Sequence, residues 1–116
     1  MITNPDGIMM TKQFVFGYAG PKEFKLEQNF PNPFNPITTI QYQIPASPKS
    51  SPKERTSVTL RIYDILGSEV ATLVNDEQEA GYYEVSWNAS NFASGMYVYR
   101  LQAGDYISSK KMMMIK

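Results

Sequence analysis

From Phe24 onward, apolar and polar residues alternate in short runs broken by turn residues, the spacing of half-buried β-strands. Ile40-Gln41-Tyr42-Gln43-Ile44 alternates and stops at Pro45. Val58-Thr59-Leu60-Arg61-Ile62-Tyr63 alternates again and runs into Asp64-Ile65-Leu66-Gly67, a turn in which Gly67 can take the positive φ that closes a hairpin. Glu69 to Val74 is the expected returning strand. Gly81 to Trp87 places Tyr83, Val85 and Trp87 on one face, and Asn88 to Ser94 reads as a polar loop ending at Gly95. Met96 to Leu101 places Tyr97, Tyr99 and Leu101 together. Gly104-Asp105 then turns the chain into a last run, Tyr106 to Lys116. Near its end Met113 and Ile115 alternate with Met112 and Met114, so both faces are apolar and the strand is expected to be well covered.

No segment sustains the 3.6-residue spacing of a helix. About seven short strands joined by hairpin turns predict an all-β fold, an antiparallel β-sandwich of immunoglobulin or fibronectin III-like character. Trp87 is the expected centre of its core. Residues 1–23 read as a linker or the remnant of an upstream region, and residues 24–116 as the sandwich. Within the former, Phe14-Val15-Phe16-Gly17-Tyr18 reads either as a strand or as the tail of an upstream unit. Pro45 to Thr56 is polar, rich in Pro and Ser, and unable to offset its ordering entropy by burial, which predicts a mobile loop. Pro45 and Pro48 also meet the PxxP spacing of a proline-rich ligand.

Composition narrows the chemistry. The 116 residues contain eleven Lys+Arg and eleven Asp+Glu, a net charge of zero that gives no electrostatic footprint for nucleic acid or a membrane surface. There is no His and no Cys, which removes disulfides, thiol nucleophiles and the commonest zinc ligands. The carboxylates Asp64, Asp76, Glu77, Glu79 and Asp105 fall in segments that read as loops and turns, with no spacing that forces convergence. Asp76 to Glu79 in particular is expected to be a surface loop. An enzyme is not expected, nor a cofactor or metal site. Residues 1–29 lack the basic start and continuous apolar run of a leader peptide, and no stretch reaches the roughly 20 apolar residues that span a bilayer. Asn88-Ala89-Ser90 matches a glycosylation acceptor triplet, a pattern too short to carry weight.

Two segments stand apart. In Asn29-Phe30-Pro31-Asn32-Pro33-Phe34-Asn35-Pro36, three prolines fix φ and push the preceding residues out of the helical region. The result is a rigid lead-in with two exposed or docking phenylalanines, suited to staple the start of the domain onto the sandwich. The other is the C-terminus, Lys110-Lys111-Met112-Met113-Met114-Ile115-Lys116, an apolar end where most chains fray. It reads as a core strand or as something a partner recognises, by its backbone edge or its side chains.

These segments, with Val58 to Val74, Ala80 to Trp87 and Ala93 to Gly104, resemble the type A C-terminal sorting domain of the type IX (Por) secretion system in order, spacing and terminal position. The resemblance covers about Phe24 to Lys116. The middle and late blocks also resemble the immunoglobulin-like domain of flagellar hook-capping proteins. The first resemblance implies a non-catalytic address module without cofactors, which directs an upstream cargo in cis through the outer-membrane translocon. In that family a sortase-like peptidase commonly removes the domain and anchors the cargo to the cell surface, so the implied location is secreted or cell-surface, reached through the periplasm. By position, Lys111, Met112, Met113, Met114, Ile115 and Lys116 would be part of the recognised signal. Pro31, Asn32, Pro33, Phe34, Asn35, Pro36, Asp64, Gly67, Gly81, Trp87, Gly95 and Tyr97 would be structural signatures, and cleavage would fall upstream of Phe24. The chain departs from the family pattern in a longer loop after Pro45, in Asn88-Ala89 where Asp-Gly is frequent, and in carrying no large cargo ahead of the module. The alternative reading is a structural or adhesive immunoglobulin-like module of a surface or extracellular protein.

Overall fold

The computed structural model describes residues 20–46 and 55–116. Phe14 to Tyr18 and most of the Pro/Ser-rich loop, with its PxxP spacing, lie outside the described residues. Seven strands follow one another: β1 (Lys25–Leu26), β2 (Ile37–Ile44), β3 (Arg55–Asp64), β4 (Glu69–Glu79), β5 (Gly81–Asn88), β6 (Gly95–Ala103) and β7 (Tyr106–Met114). They form a three-stranded sheet in the order β1-β2-β5 and a four-stranded sheet in the order β4-β3-β6-β7, and every pairing between strands is antiparallel. This is the immunoglobulin-like sandwich expected from the alternation.

The alternating apolar positions supply the core. Ile40, Tyr42 and Ile44 of β2 face Val58, Leu60 and Ile62 of β3 and Tyr97, Tyr99 and Leu101 of β6, all of them buried. Trp87 is buried too, but towards the end of the sandwich where the chain enters β2. There its indole packs against Phe34, Phe92 and Tyr97, with ring centroids 5.9, 5.6 and 5.4 Å away. The Tyr97 hydroxyl donates to the carbonyl of Ala93 four residues upstream at 2.6 Å. That bond is the tyrosine corner that pins the loop before this strand in many such sandwiches.

Two boundaries differ from expectation. The returning strand does not end at Val74: Asp76 to Glu79 continue β4, paired residue by residue with Val58 back to Arg55. These residues form the edge of the sheet, where polar side chains are tolerated on both faces, so the alternation that marks a half-buried strand is missing. Arg55 and Thr56 accordingly belong to β3 and not to the preceding loop. Two register shifts, beside Leu60/Arg61 and Ile62/Tyr63, interrupt the β3–β4 ladder, a distortion that discourages edge-to-edge association.

The hairpin between β3 and β4 has the predicted chemistry. Asp64 Oδ1 accepts from the N–H of Leu66 at 2.9 Å and of Ser68 at 3.0 Å, and Gly67, at φ 89°, donates to the Asp64 carbonyl. At the other departure from the family pattern, Asn88 builds its own turn: its Oδ1 accepts from Ser90 N–H at 3.0 Å while the Ala89 methyl is fully buried.

Candidate functional site: the clasped C-terminal strand

Strand β7 lies at the edge of its sheet, so one side of its backbone has no strand partner. Over its last half that side is occupied by the proline-rich lead-in. Gln28 Nε2 donates to the Lys111 carbonyl at 2.8 Å, and Asn32 Oδ1 accepts from Met113 N–H at 3.0 Å. Phe34 N–H donates to the Met113 carbonyl and the Phe34 carbonyl accepts from Ile115 N–H, both at 2.9 Å, which makes a short parallel bridge. The last residue is held from elsewhere: Lys116 N–H donates to Ser94 Oγ and its ammonium to the Ser90 carbonyl, each at 3.0 Å.

The lead-in is itself locked from beneath. Asn29 is only 2% exposed, and its N–H donates to the Tyr99 hydroxyl at 2.8 Å. Its Nδ2 donates to Thr38 Oγ1 and the Pro31 carbonyl, Thr38 Oγ1 donates to that same carbonyl, and Gln28 Nε2 donates to Asn29 Oδ1. A buried polar group so fully partnered fixes one conformation, because any alternative strands it without water. Tyr99 donates in turn to the Glu27 carbonyl at 2.6 Å, and burial, opposed by the Asn29 hydrogen bond, pushes its phenol up to about 12. The three X-Pro bonds at Pro31, Pro33 and Pro36 are cis.

The two phenylalanines of the lead-in part company: Phe34 docks against Trp87 and is 2% exposed, while Phe30 is 79% exposed. The terminal run also splits. Met112 and Met114 are core residues, Met113 is half-buried, and Lys111, Ile115 and Lys116 are exposed. Covering on both faces therefore fails at Ile115, half of whose surface is open because the lead-in covers the strand's edge and not its outward face. Nor does this part of β7 offer a bare backbone for strand addition, since Lys111 O, both polar groups of Met113 and Ile115 N–H are already bonded. What it presents is a row of side chains.

Of the other predicted residues, the structure gathers Asn32, Phe34, Trp87, Gly95 and Tyr97 at the same end of the sandwich, with Pro31, Pro33, Asn35 and Pro36 in the connecting lead-in. Asp64 and Gly67 form the β3–β4 turn, and Gly81 opens β5 with the Tyr83 ring 3.7 Å from where its side chain would begin. Gln28, Asn29 and Thr38 lie within the span of the family resemblance, which assigns none of them a role. Gln28 and Asn29 take their roles from Lys111 and Tyr99, 83 and 70 residues away, and Thr38 takes its role from the buried Asn29 and the Pro31 carbonyl, contacts for which strand alternation carries no signal. Ser90 and Ser94, which hold Lys116, had no signal either. Among the described residues, no three carboxylates gather where they could hold a metal ion.

The terminal strand of this sandwich is clasped along its edge by the lead-in and leaves the side chains of Lys111, Ile115 and Lys116 exposed. The chain belongs to the family of secretion system C-terminal sorting domains, whose family model matches residues 28–116. No curated protein and no solved structure matches it. The family's role is that of a sorting signal in type IX secretion, which implies a secreted or cell-surface protein, a cargo in cis and an interaction with the secretion machinery.

Proposed function

We propose that the translocon reads Lys111 to Lys116 through the side chains that the clasp leaves exposed, Lys111, Ile115 and Lys116 with the half-buried Met113. Met112 and Met114 fix that row in place from the core. Residues 24–116 constitute the address module and residues 1–23 the linker to cargo. The cargo passes through the periplasm, and a sortase-like peptidase cleaves upstream of Phe24. The single observation that carries this reading is the hydrogen-bonding of the β7 edge from Lys111 to Ile115, which takes backbone pairing away and leaves side chains as the readable feature.

Deleting the last six residues is a poor test, because it removes two core methionines, 1% and 0% exposed, and the domain with them. The informative variants are Ile115→Ser and Lys111→Glu, which change exposed side chains only. A fluorescent reporter carrying a Sec leader is fused ahead of the full chain and expressed in a bacterium with a type IX system. Loss of surface reporter in these variants, with an unchanged melting temperature, is the expected result. Full export of both variants, and of a chain extended beyond Lys116, would refute the reading and favour an adhesive module.

A further inference from the structure

The outward face of the four-stranded sheet has two unlike ends. Cross-strand register aligns Tyr63, Val98 and Lys111 in one row and Met96 with Met113 in the next. Away from that end the rows turn polar, with Arg61 opposite Arg100 and Thr59 opposite Gln102. The β3–β4 turn overhangs the apolar rows. Ile65 and Leu66 at its tip are 73% and 87% exposed, and between the turn and the strands lies a shallow hollow of about 340 Å³, lined by Tyr63, Ile65, Val98 and Arg100 among others.

Folding does not require apolar side chains at the tip, since Asp64 and Gly67 close the turn and the side chains of Ile65 and Leu66 point to water. Two adjacent exposed aliphatics, of which Ile65 shares the hollow with Tyr63 and Val98, make an apolar patch of the kind that marks an interaction surface. Its rim is basic. Among the described residues no salt bridge reaches Arg100 or Lys111, Glu69 in the same row is paired with Arg61, and the one further carboxylate is Asp64, whose Oδ1 is hydrogen-bonded within the turn and which lines the hollow beside Arg100. An apolar centre whose edge carries two cations outside any salt bridge against the single Asp64 carboxylate complements an acidic rim on a partner.

We propose that this patch is a docking surface for a protein of the export machinery that offers an apolar groove rimmed by carboxylates, with Ile65 and Leu66 as the anchors. The proposal rests on the sorting role above and extends the recognised surface from the last strand to the hairpin turn.

The test uses the same full-chain reporter. The double variant Ile65→Ser/Leu66→Ser is expected to lower surface reporter about tenfold at unchanged melting temperature, as loss of an anchor does. Arg100→Glu should lower it several-fold, as expected for an acidic partner. Ile107→Ser, which alters an exposed apolar residue at the opposite end of β7, should leave export unchanged. Full export of the double variant while Ile115→Ser abolishes it overturns the patch and leaves the sorting role standing, whereas export indifferent to both overturns the two together. If the parent chain sediments as a dimer that the double variant dissociates, the occupant is a second copy and the assignment to an export protein is wrong.

Discussion

Tyr99 and Asn29 lie 70 residues apart in the chain and 2.8 Å apart in the fold, where the Asn29 N–H donates to the Tyr99 hydroxyl. That hydroxyl donates onward to the Glu27 carbonyl, so one phenol in the core satisfies two backbone groups of the segment that clasps β7. Tyr99→Phe keeps the ring and removes both bonds. Leaving the buried Asn29 N–H and the half-buried Glu27 carbonyl without this partner is expected to cost about 1–3 kcal/mol, read by denaturant unfolding. Amide exchange should quicken first at Phe34, Met113 and Ile115, where the clasp meets the strand.

Asn32 tests the clasp from its exposed side. Its Oδ1 accepts only the Met113 N–H, in a bond open to water, so Asn32→Ala is expected to cost about 0.5–1.5 kcal/mol. The Met113 amide should lose protection while Leu60 and Leu101, in the ladder between β3 and β6, keep theirs. Uniform loss of protection across the sheet would show instead that the bond serves global stability.

The alternation of β2, β3, β5 and β6 was legible because each has one face in the core, and the Asp64–Gly67 turn was legible because Asp and Gly each have a local reason to be there. The second half of β4 was not, since Asp76 to Glu79 are strand only by pairing with β3 at an open edge. The terminal run showed two apolar faces but not which one the fold would cover. That is set by packing across the sandwich, which takes Met112 and Met114 into the core, while the edge is closed by Asn32 and Gln28, whose partners on β7 lie 81 and 83 residues away. The apolar end and the proline-rich lead-in were each visible as unusual, while their contact with one another was not.

Trp87 fills the end of the sandwich between Phe34, Phe92 and Tyr97. Trp87→Ala should cost about 3–5 kcal/mol, a large share of a small domain's stability. Because Phe34 loses its packing partner, the clasp should loosen with it, so export of the reporter is expected to fall along with the melting temperature. A variant that melts where the parent does would contradict this placement.

Alkaline pH should destabilise the domain through its buried phenols. Tyr42, which donates to Gln78 Oε1 at 2.6 Å, is pushed up to about 12 by burial, as Tyr99 is, and burial raises Tyr83 as well. In the unfolded chain these phenols ionise near pH 10, whereas in the fold Tyr42 and Tyr99 keep their protons to about pH 12. Above pH 10 the folded state therefore holds more protons than the unfolded one, and stability falls as pH rises. The contribution of these two groups is fully present below pH 10 and is lost between pH 10 and 12, at no more than ~1.4 kcal/mol per pH unit for each. Melting temperatures measured at pH 8, 10 and 11 should be level over the first step and drop over the second. In Tyr42→Phe the drop should be smaller, because one of the two protons is no longer at stake.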